Sequence, residues 1–522
     1  MIRHPLRIDR VGLPGGMGFI GMTPFPEKRD LEKDIEAMAE QGADGVLSVL
    51  ERGEMEEPGV AGLGEKIAAR GLRWWHLPVL DGGVLRPSRR ASWDAMRRRI
   101  AAFVLGGKNL VIHGGGGPTP PDAFAAALLM DLGQAGVEEA AAMVTGARTH
   151  PTGTGGQEAF LRSYTSLFPP LLGAEGFDDD RVAACLLGGA MGDAFGFPVE
   201  FLDLPRILEA HGAHGVTELV MGSSGVAPVS DDTQMTLFTF EALLSALAAG
   251  ARPQRSELRT EFYLSYLDWY RTQRGGGPVE GRKSHLLTRR EMHGARAPGS
   301  TCLSALASGR CGTIEAPLND SKGCGGVMRA APVGLAKIFS PEEAFAAAAD
   351  AAAVTHGHPS GYFSAAAMAM MIRLVLDGEP IDGAARAAAG RLRPEKGGGE
   401  TADALEAALR LAREPRLAVG ETIARLGEGW VGEEALAMGV FAALRGRDFR
   451  DALRLSASHG GDSDSTAALT GQLLGARDGL EAVPAGWIEK IDVSGLILDM
   501  APRLDRLNVL LSSLPASAGQ GI

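Results

Sequence analysis

Two short stretches of the sequence place carboxylates beside small hydroxyl side chains. One is SHGGDSDSTAA, at residues 458–468, which carries Asp462 and Asp464; the other is VSDDTQ, which carries Asp231 and Asp232. Carboxylate and hydroxyl oxygens are the ligands that hard cations such as Mg²⁺ and Mn²⁺ prefer. If the two stretches face each other, they could hold two ions about 3.5–4 Å apart, as in two-metal hydrolases.

Helix capping is a simpler explanation for either stretch alone. Each stretch precedes a predicted helix, and Asp and Ser are among the favoured N-cap residues. One acid is enough for a cap, however, and neighbouring carboxylates repel each other when they are partly buried. Capping and metal binding therefore both stay open on spacing alone.

A third stretch, GGAMGDAFGFPVE at residues 188–200, combines glycines with two acids. The glycines recur every four positions on an apparent helix, which close packing against a neighbouring helix explains. Packing does not explain Asp193 within this apolar run, nor Glu200 just after a proline. Both acids are therefore candidate functional residues.

The N-terminal third of the chain alternates between helical and strand-like patterns. A helix is expected at residues 31–41, and strands are expected at residues 43–50, 73–80 and 108–114. Further helices are expected before residue 168, the last of them within residues 146–168. Alternating strands and helices are typical of an α/β domain with a largely parallel sheet.

The rest of the chain has a different pattern. From Arg181 onward nearly every segment has helical spacing, and many segments are rich in alanine, which predicts an all-α domain. Proline, glycine and acids cluster between the two regions. The expected multidomain organisation is an α/β domain over residues 1–168, a linker over 169–177 and an all-α domain over 178–515.

The composition is that of a soluble globular protein, with 45% hydrophobic and 22% charged residues. A formal net charge of −12 argues against a protein that coats nucleic acid. The four cysteines show no CxxC pairing and are expected to be reduced thiols. The N-terminus lacks the apolar core of a signal peptide, and no uninterrupted apolar run is long enough to span a bilayer. We therefore expect a cytoplasmic protein without a membrane partner.

The three stretches belong to an ordered set of motifs that resembles the ADP-ribosylglycohydrolase family. The set comprises GGAMGDAFGFPVE, SDDTQMT, GCGGVMRAAPVGL, THGHP, GWVGEEALA and GGDSDSTAALTGQLLGA. The order and approximate spacing match over about residues 178–515. The resemblance implies an all-α fold, a centre of two Mg²⁺ or Mn²⁺ ions, and cleavage of the bond between ADP-ribose and an acceptor.

The resemblance also implies roles for individual residues. The implied metal ligands are Ser230, Asp231, Asp232, Asp462, Asp464 and Ser465. The implied substrate-binding residues are Asp193, Gly323, Cys324, Gly325, Gly326 and His356. Either Glu200 or Asp232 would be the base that activates a water molecule, and the sequence does not choose between them. The glycine amides could bind the pyrophosphate, whereas His356 could equally be a packing residue at a helix end.

The N-terminal domain resembles the dual-specificity and tyrosine phosphatases over roughly residues 8–168. The strand KNLVIHG runs into a glycine-rich loop and a helix, a layout that can cradle phosphate. Gly114 and Pro120 stand where those enzymes have a nucleophilic Cys and a phosphate-binding Arg, although Asp81 matches their general acid. A general acid without a nucleophile cannot catalyse the phosphatase reaction. We therefore expect a non-catalytic domain whose glycines 114–117 either bind an anion or have lost their ligand.

The expected function is metal-dependent hydrolysis that releases ADP-ribose from a protein or a small molecule. ADP-ribose linked to nucleic acid is a further acceptor, for which the sequence offers no support. The alternative is a non-catalytic protein that binds ADP-ribose or serves a structural, crystallin-like role. Oxygen-bearing side chains at every expected ligand position favour the enzyme.

Overall fold

The computed structural model describes residues 6–13, 18–24, 31–55, 62–79, 90–114, 120–149, 160–162, 164–167, 180–249, 252–275, 284–414 and 420–512. The chain divides into two compact units. The first comprises Met1–Phe177 with Leu247–Arg252 and Ser513–Ile522, and the second comprises Asp178–Ala246 and Pro253–Ser512. The predicted change from an α/β to a helical architecture is confirmed.

A five-stranded mixed sheet lies in the N-terminal unit. Its strands are β1 (Asp9–Gly12), β2 (Phe19–Thr23), β3 (Gly45–Val49), β4 (Arg73–Leu77) and β5 (Leu110–Gly114). They lie in the order β1-β2-β5-β3-β4; β1 is antiparallel to β2, and the other pairs are parallel. β3 and β5 are buried along their whole length, which explains their nearly continuous apolar sequences.

The sequence predicted β3, β4 and β5 but not the first two strands. β1 and β2 lie in a glycine-rich stretch without a clear alternating pattern. Gly21 in β2 leaves room for neighbouring side chains, because a Cβ there would lie 2.5 Å from Cγ2 of Ile8. The formation of β1 and β2 therefore depends more on tertiary packing than on the local strand propensity of their residues.

Six helices of this unit lie wholly within the described residues. They are α1 (Leu31–Glu40), α2 (Arg52–Met55), α3 (Leu63–Ala69), α4 (Arg90–Leu105), α5 (Pro120–Asp131) and α6 (Val137–Ala147). Apolar residues of α1 and α3, among them Ile35 and Ile67, form a core cluster with Val46 and Val111 of the sheet. The helix predicted within residues 146–168 falls largely outside the described residues.

A buried carboxylate ties α4 to α5. Asp131 at the end of α5 is fully buried and accepts hydrogen bonds from the Arg97 guanidinium at 2.8 Å and the Tyr164 hydroxyl at 2.6 Å. It also accepts one from the Leu167 backbone N–H at 2.9 Å. These charge-assisted bonds compensate the burial of the carboxylate.

Helices form the second unit. They are α7 (Arg181–Gly196), α8 (Leu204–His211), α9 (Asp231–Leu247), α10 (Arg255–Thr272), α11 (Ser300–Ala307), α12 (Ala331–Leu335), α13 (Pro341–Ala353), α14 (Pro359–Leu376), α15 (Ile381–Leu392), α16 (Gly399–Leu411), α17 (Gly432–Arg445), α18 (Phe449–Ala457), α19 (Ser463–Asp478), α20 (Ala485–Ile488) and α21 (Ser494–Ser512). Short 3-10 turns, such as Phe197–Val199 and Cys324–Gly326, connect some of them.

Two segments of this unit are long and apolar enough, by length and composition, to cross a membrane. They are Arg181–Val199 and Pro359–Leu376, and 89% of the apolar window of each is buried inside the protein. Each contains an ionisable residue within the run, Asp193 in the first and Arg373 in the second. Such burial is typical of core helices.

Candidate active site

The two acidic segments predicted from the sequence lie next to each other in the structure. Asp231 and Asp232 form the first turn of α9, and Asp464 lies in the first turn of α19, just after Asp462. Burial raises the pKa of Asp464 and the Ser230 side chain opposes that shift, so the two segments are close enough to interact. All five side chains are buried, with at most 5% of their surface exposed.

Glycines bring α7 into backbone contact with α19. A Cβ added at Gly192 would overlap the Ala467 carbonyl oxygen, and one at Gly196 would overlap the Ser463 carbonyl oxygen. Helices this close tolerate only glycine at the contact. The close helix packing predicted for these glycines is confirmed, and it sets the end of α7 against the start of α19.

Asp193 of α7 supports the Ser230–Asp232 segment from behind. Its buried carboxylate accepts hydrogen bonds from the backbone N–H groups of Ser230, at 2.8 Å, and Thr233, at 3.0 Å, and from the Thr233 hydroxyl. Those N–H groups lack partners within α9, so Asp193 caps that helix from another element. Its contacts are those of a positioning residue, although the sequence grouped it with the substrate-binding residues.

Glu200 completes the acidic cluster just beyond the end of α7. One carboxylate oxygen from each of Glu200, Asp462 and Asp464 lies within 4.8 Å of the other two. Burial, and then repulsion from Asp464 and Asp462, raises the pKa of Glu200 to about 10. Its Oε2 atom is buried and has no hydrogen-bond partner in the structure.

The acidic cluster, defined as Glu200, Asp231, Asp232, Asp462 and Asp464, fits divalent cations. Burial raises the pKa of every one of the four aspartates, and repulsion from Asp464 raises that of the other three further. The Oδ2 atoms of Asp232 and Asp462 are also buried without a partner. Such oxygens are costly to bury. A cation would supply both the missing partner and the opposing charge, and oxygen ligands suit Mg²⁺ or Mn²⁺.

The predicted glycine segment forms a turn at Cys324–Gly326, which backbone contacts hold near the acidic cluster. The Cys324 backbone N–H donates to the Trp430 carbonyl at 3.1 Å, and Gly323 forms an antiparallel bridge with Val431. Burial, and then the charges of Asp462 and Asp232, raise the pKa of the Cys324 thiol, so the turn lies close to these carboxylates. The structure therefore brings the predicted pyrophosphate-binding turn to the predicted metal ligands.

A lysine holds this turn in place. The Lys322 ammonium lies 2.6 Å from a Glu400 carboxylate oxygen and 2.5 Å from one of Glu433. Its backbone carbonyl accepts a hydrogen bond from the Gly432 N–H at 2.8 Å. Glu433 is buried, so its charge depends on this pairing.

His356 lies behind the glycine turn. Burial, and then the charge of Arg329, lowers the pKa of His356 to about 3, so its ring is neutral at physiological pH. Its Nδ1 atom lies 2.8 Å from the Thr355 hydroxyl, and a Cβ at Gly325 would lie 2.9 Å from its Cε1 atom. These are the contacts of a residue that packs beneath the turn, one of the two interpretations that the sequence left open.

Two further features around the site were not predicted from the sequence. Arg329 is buried, stacks 4.0 Å from the Tyr266 ring centroid and donates to the Thr355 hydroxyl at 2.7 Å. Phe201 and Trp430 stack at a centroid distance of 5.8 Å, yet 70% and 38% of their surfaces are exposed. The sequence did carry a signal for these residues. Arg329 and Trp430 lie inside quoted motifs, and Phe201 directly follows Glu200.

The N-terminal unit places His113 at the end of β5. Its Nε2 atom lies 2.7 Å from the Ser48 hydroxyl of β3, and burial lowers the pKa of His113 to about 3. Gly114 ends the strand, whereas Asp81 and residues 115–117 lie outside the described residues. Whether glycines 114–117 bind an anion therefore stays a prediction from the sequence.

Known proteins resemble both parts of the chain. The family model described as ADP-ribosylglycohydrolase matches residues 175–512. ADP-ribosyl-dinitrogen reductase glycohydrolase of Rhodospirillum rubrum is 27% identical over 333 residues, which cover 60% of this chain and 91% of that protein. ADP-ribosylarginine hydrolase Tri1 of Pseudomonas putida (strain GB-1) is 26% identical over 347 residues, covering 64% and 81%. In the N-terminal region, a solved structure of kinase associated phosphatase is 22% identical, with a TM-score of 0.28, and covers 31% of this chain and 95% of that one.

Proposed function

The chain belongs to the ADP-ribosylglycohydrolase family, and we propose that it uses two Mg²⁺ or Mn²⁺ ions to cleave the glycosidic bond between ADP-ribose and an acceptor. The observation that carries the proposal is the convergence of Glu200, Asp462 and Asp464, with buried carboxylate oxygens that lack partners. A protein that only binds ADP-ribose or only fills a structural role gains nothing from such a costly arrangement.

The residues of this chain that would hold the cations are Ser230, Asp231, Asp232, Asp462, Asp464 and Ser465. When bound, the cations would fix the ribose hydroxyls and lower the pKa of a water molecule. The glycosidic bond breaks through an oxocarbenium-like state, so a rigidly held sugar lowers the barrier. Asp193 contributes rigidity, because it fixes the segment that carries the first ligands.

With cations bound beside it, Glu200 would ionise and would then accept the proton of the attacking water. Asp232 is the other candidate from the sequence, and each has one buried oxygen without a partner. Glu200 is the more exposed of the two, at 8% against 4%, and precedes the exposed Phe201. Asp232 begins a helix inside the predicted ligand set, so a ligand role suits it better.

Glu200→Gln and Asp232→Asn separate these roles when turnover and metal content are measured together. Glu200→Gln should lose roughly 100-fold or more in turnover while still binding cations. Asp232→Asn should lose cations and turnover together. Near wild-type turnover in both variants would contradict the assignment.

Protein-linked ADP-ribose is the first acceptor class to test. The names of the two relatives refer to ADP-ribosyl-dinitrogen reductase and to ADP-ribosylarginine. A panel of arginine-, serine- and nucleic-acid-linked ADP-ribose, together with small ADP-ribosyl compounds, should be incubated with the full chain and Mg²⁺. Release of ADP-ribose that a chelator abolishes and Mg²⁺ restores is the expected result. Chelator-resistant release would contradict metal dependence, and no release from any substrate would favour the non-catalytic alternative.

For the N-terminal unit we propose a non-catalytic, phosphatase-like scaffold in a cytoplasmic protein. The sequence has Gly114 where such enzymes need a nucleophilic cysteine. All four cysteines are free thiols, which suits a reducing compartment. The full chain with Asp462→Asn, a substitution expected to disable the proposed metal site, should not hydrolyse an aryl phosphate. Turnover by that variant would overturn this proposal.

A further inference from the structure

His459 lies three residues before Asp462, in the loop that leads into α19. It is buried, and it belongs neither to the expected metal ligands nor to the expected substrate-binding residues. Its Nε2 atom lies 3.0 Å from the hydroxyl of Thr466, a fully buried residue in the first turn of α19. This hydrogen bond therefore brackets the segment that carries Asp462 and Asp464.

The surroundings of the Thr466 hydroxyl decide in which direction that bond runs. Three backbone carbonyl oxygens surround the hydroxyl oxygen, those of Ser456 at 2.7 Å, Asp462 at 2.8 Å and Ser463 at 3.2 Å. A carbonyl oxygen only accepts, and a hydroxyl has a single proton to donate. If the hydroxyl gave that proton to His459, all three carbonyl oxygens would face its lone pairs. His459 is therefore the donor, with a proton on Nε2.

The Thr466 hydroxyl and a neighbouring loop hold the backbone of Asp462 on both sides. The Asp462 N–H donates to the Glu428 carbonyl at 2.8 Å, and the Asp462 carbonyl is an acceptor for the Thr466 hydroxyl. Gly429 packs against both side chains, since a Cβ there would lie 2.9 Å from Cγ2 of Thr466 and 3.2 Å from Cβ of Asp462. The Asp462 carboxylate makes no capping bond to α19, so it is left for the acidic cluster.

We propose that His459 is a positioning residue for the divalent cations: by donating to Thr466, it holds the Asp462–Asp464 segment in the geometry that binds them. This inference rests on the proposed function, since it requires cations at the acidic cluster. His459 needs no contact with the cations or the substrate, because it acts through the Thr466 hydroxyl. Without this donor the segment can relax, and repulsion between the buried carboxylates favours such a movement.

Glutamine and asparagine at position 459 separate a donor at Nε2 from the other effects of losing the ring. A glutamine amide nitrogen can reach the place of Nε2, whereas the shorter asparagine ends near the place of Nδ1. His459→Asn should lower the Mn²⁺ affinity of the full chain, measured by calorimetry, roughly tenfold or more. His459→Gln should retain most of the affinity. The same two substitutions at the exposed His214 are the control and should leave Mn²⁺ affinity unchanged.

Thr466→Val tests whether the effect passes through the hydroxyl. This variant should itself lose Mn²⁺ affinity, and adding His459→Asn to it should cause no further loss, because the partner of Nε2 is already gone. Both His459 variants lose the packing of the ring. A purely structural role of the imidazole therefore predicts equal losses in the two variants and no dependence on Thr466.

The outcomes separate this inference from the function on which it rests. Equal losses in both His459 variants, unchanged affinity in His459→Asn, or additive losses in the double variant would overturn the positioning role and leave the metal centre intact. Binding of neither Mn²⁺ nor Mg²⁺ to the wild type would overturn the metal centre and the inference with it. Full Mn²⁺ affinity in Thr466→Val alone would also reject the positioning role, so the test does not depend on the folding of His459→Asn.

Discussion

Gly188 of α7 and Gly471 of α19 face each other at backbone contact, so that a Cβ added to either glycine would overlap the carbonyl oxygen of the other. The same pair of helices places Asp193 behind the Ser230–Asp232 segment and Asp464 in the acidic cluster. The packing of α7 against α19 therefore also fixes the positions of residues in the candidate site.

Replacing Gly188 by alanine should destabilise the protein by about 1–3 kcal/mol, because the methyl group has no space and must push α7 away from α19. The free energy of unfolding in urea measures the effect. Gly390→Ala is the matched control, since Gly390 lies exposed in α15 with open space around its missing side chain. That control should be neutral or stabilising by up to about 1 kcal/mol. Equal effects of the two substitutions would contradict the packing argument.

Gly325 and Gly323 should respond differently to alanine. A Cβ at Gly325 would lie 2.9 Å from Cε1 of His356 and 3.0 Å from the Cys302 sulfur, so the turn must shift. A Cβ at Gly323 would have its nearest contact at 3.5 Å, an ordinary van der Waals distance, at a φ of −54°. Gly325→Ala should weaken ADP-ribose binding in calorimetry by about 1–3 kcal/mol, and Gly323→Ala by much less. The reverse order would rule out His356 as the support of this turn.

Lys322→Met should destabilise the fold by about 1–3 kcal/mol, because it leaves the buried Glu433 without its partner. The partial exposure of Lys322 keeps the effect below that of a fully buried pair. Lys396→Met makes the same charge change at an exposed position and should alter the unfolding free energy by less than about 0.5 kcal/mol. Chemical denaturation compares the two variants, and indistinguishable midpoints would show that the pairing contributes nothing.

The metal-free protein should lose stability as the pH rises. Glu200 has a folded-state pKa of about 10, above the ordinary value of about 4. The stability contribution of its protonated form is complete below about pH 4 and is lost as the pH approaches 10. Thermal melting in a chelator should therefore show a falling melting temperature between about pH 5 and about pH 9.

Glu200→Gln serves as the control for this pH dependence, because glutamine does not ionise. The variant should lose less stability than the wild type over the same range, and the difference between the two measures Glu200 together with its effect on the neighbouring carboxylates. Saturating Mg²⁺ should flatten the wild-type profile, since a cation compensates the ionised carboxylates. Parallel profiles for the wild type and the variant in chelator would contradict the raised pKa.

Much of the helical architecture could be read from local patterns. Helix α7 spans the predicted apolar stretch from Arg181 to Gly196, because helical apolar spacing and the following Pro198 leave few alternatives. β3, β4 and β5 were predicted for a similar reason, since buried parallel strands are short apolar runs. β1 and β2 were not, because their pairing depends on side chains that approach Gly21 from elsewhere in the chain.

The sequence by itself determined which residue types could form the site: paired carboxylates next to hydroxyls at two helix starts, and glycines at intervals of one helical turn. Only the tertiary structure decided that Glu200 meets Asp462 and Asp464, that Asp193 caps α9 from another helix, and that Glu200 is left with an unpartnered oxygen. The physical reason is that pattern and propensity act between near neighbours in the chain. Burial, repulsion and coordination arise between groups that only folding brings together.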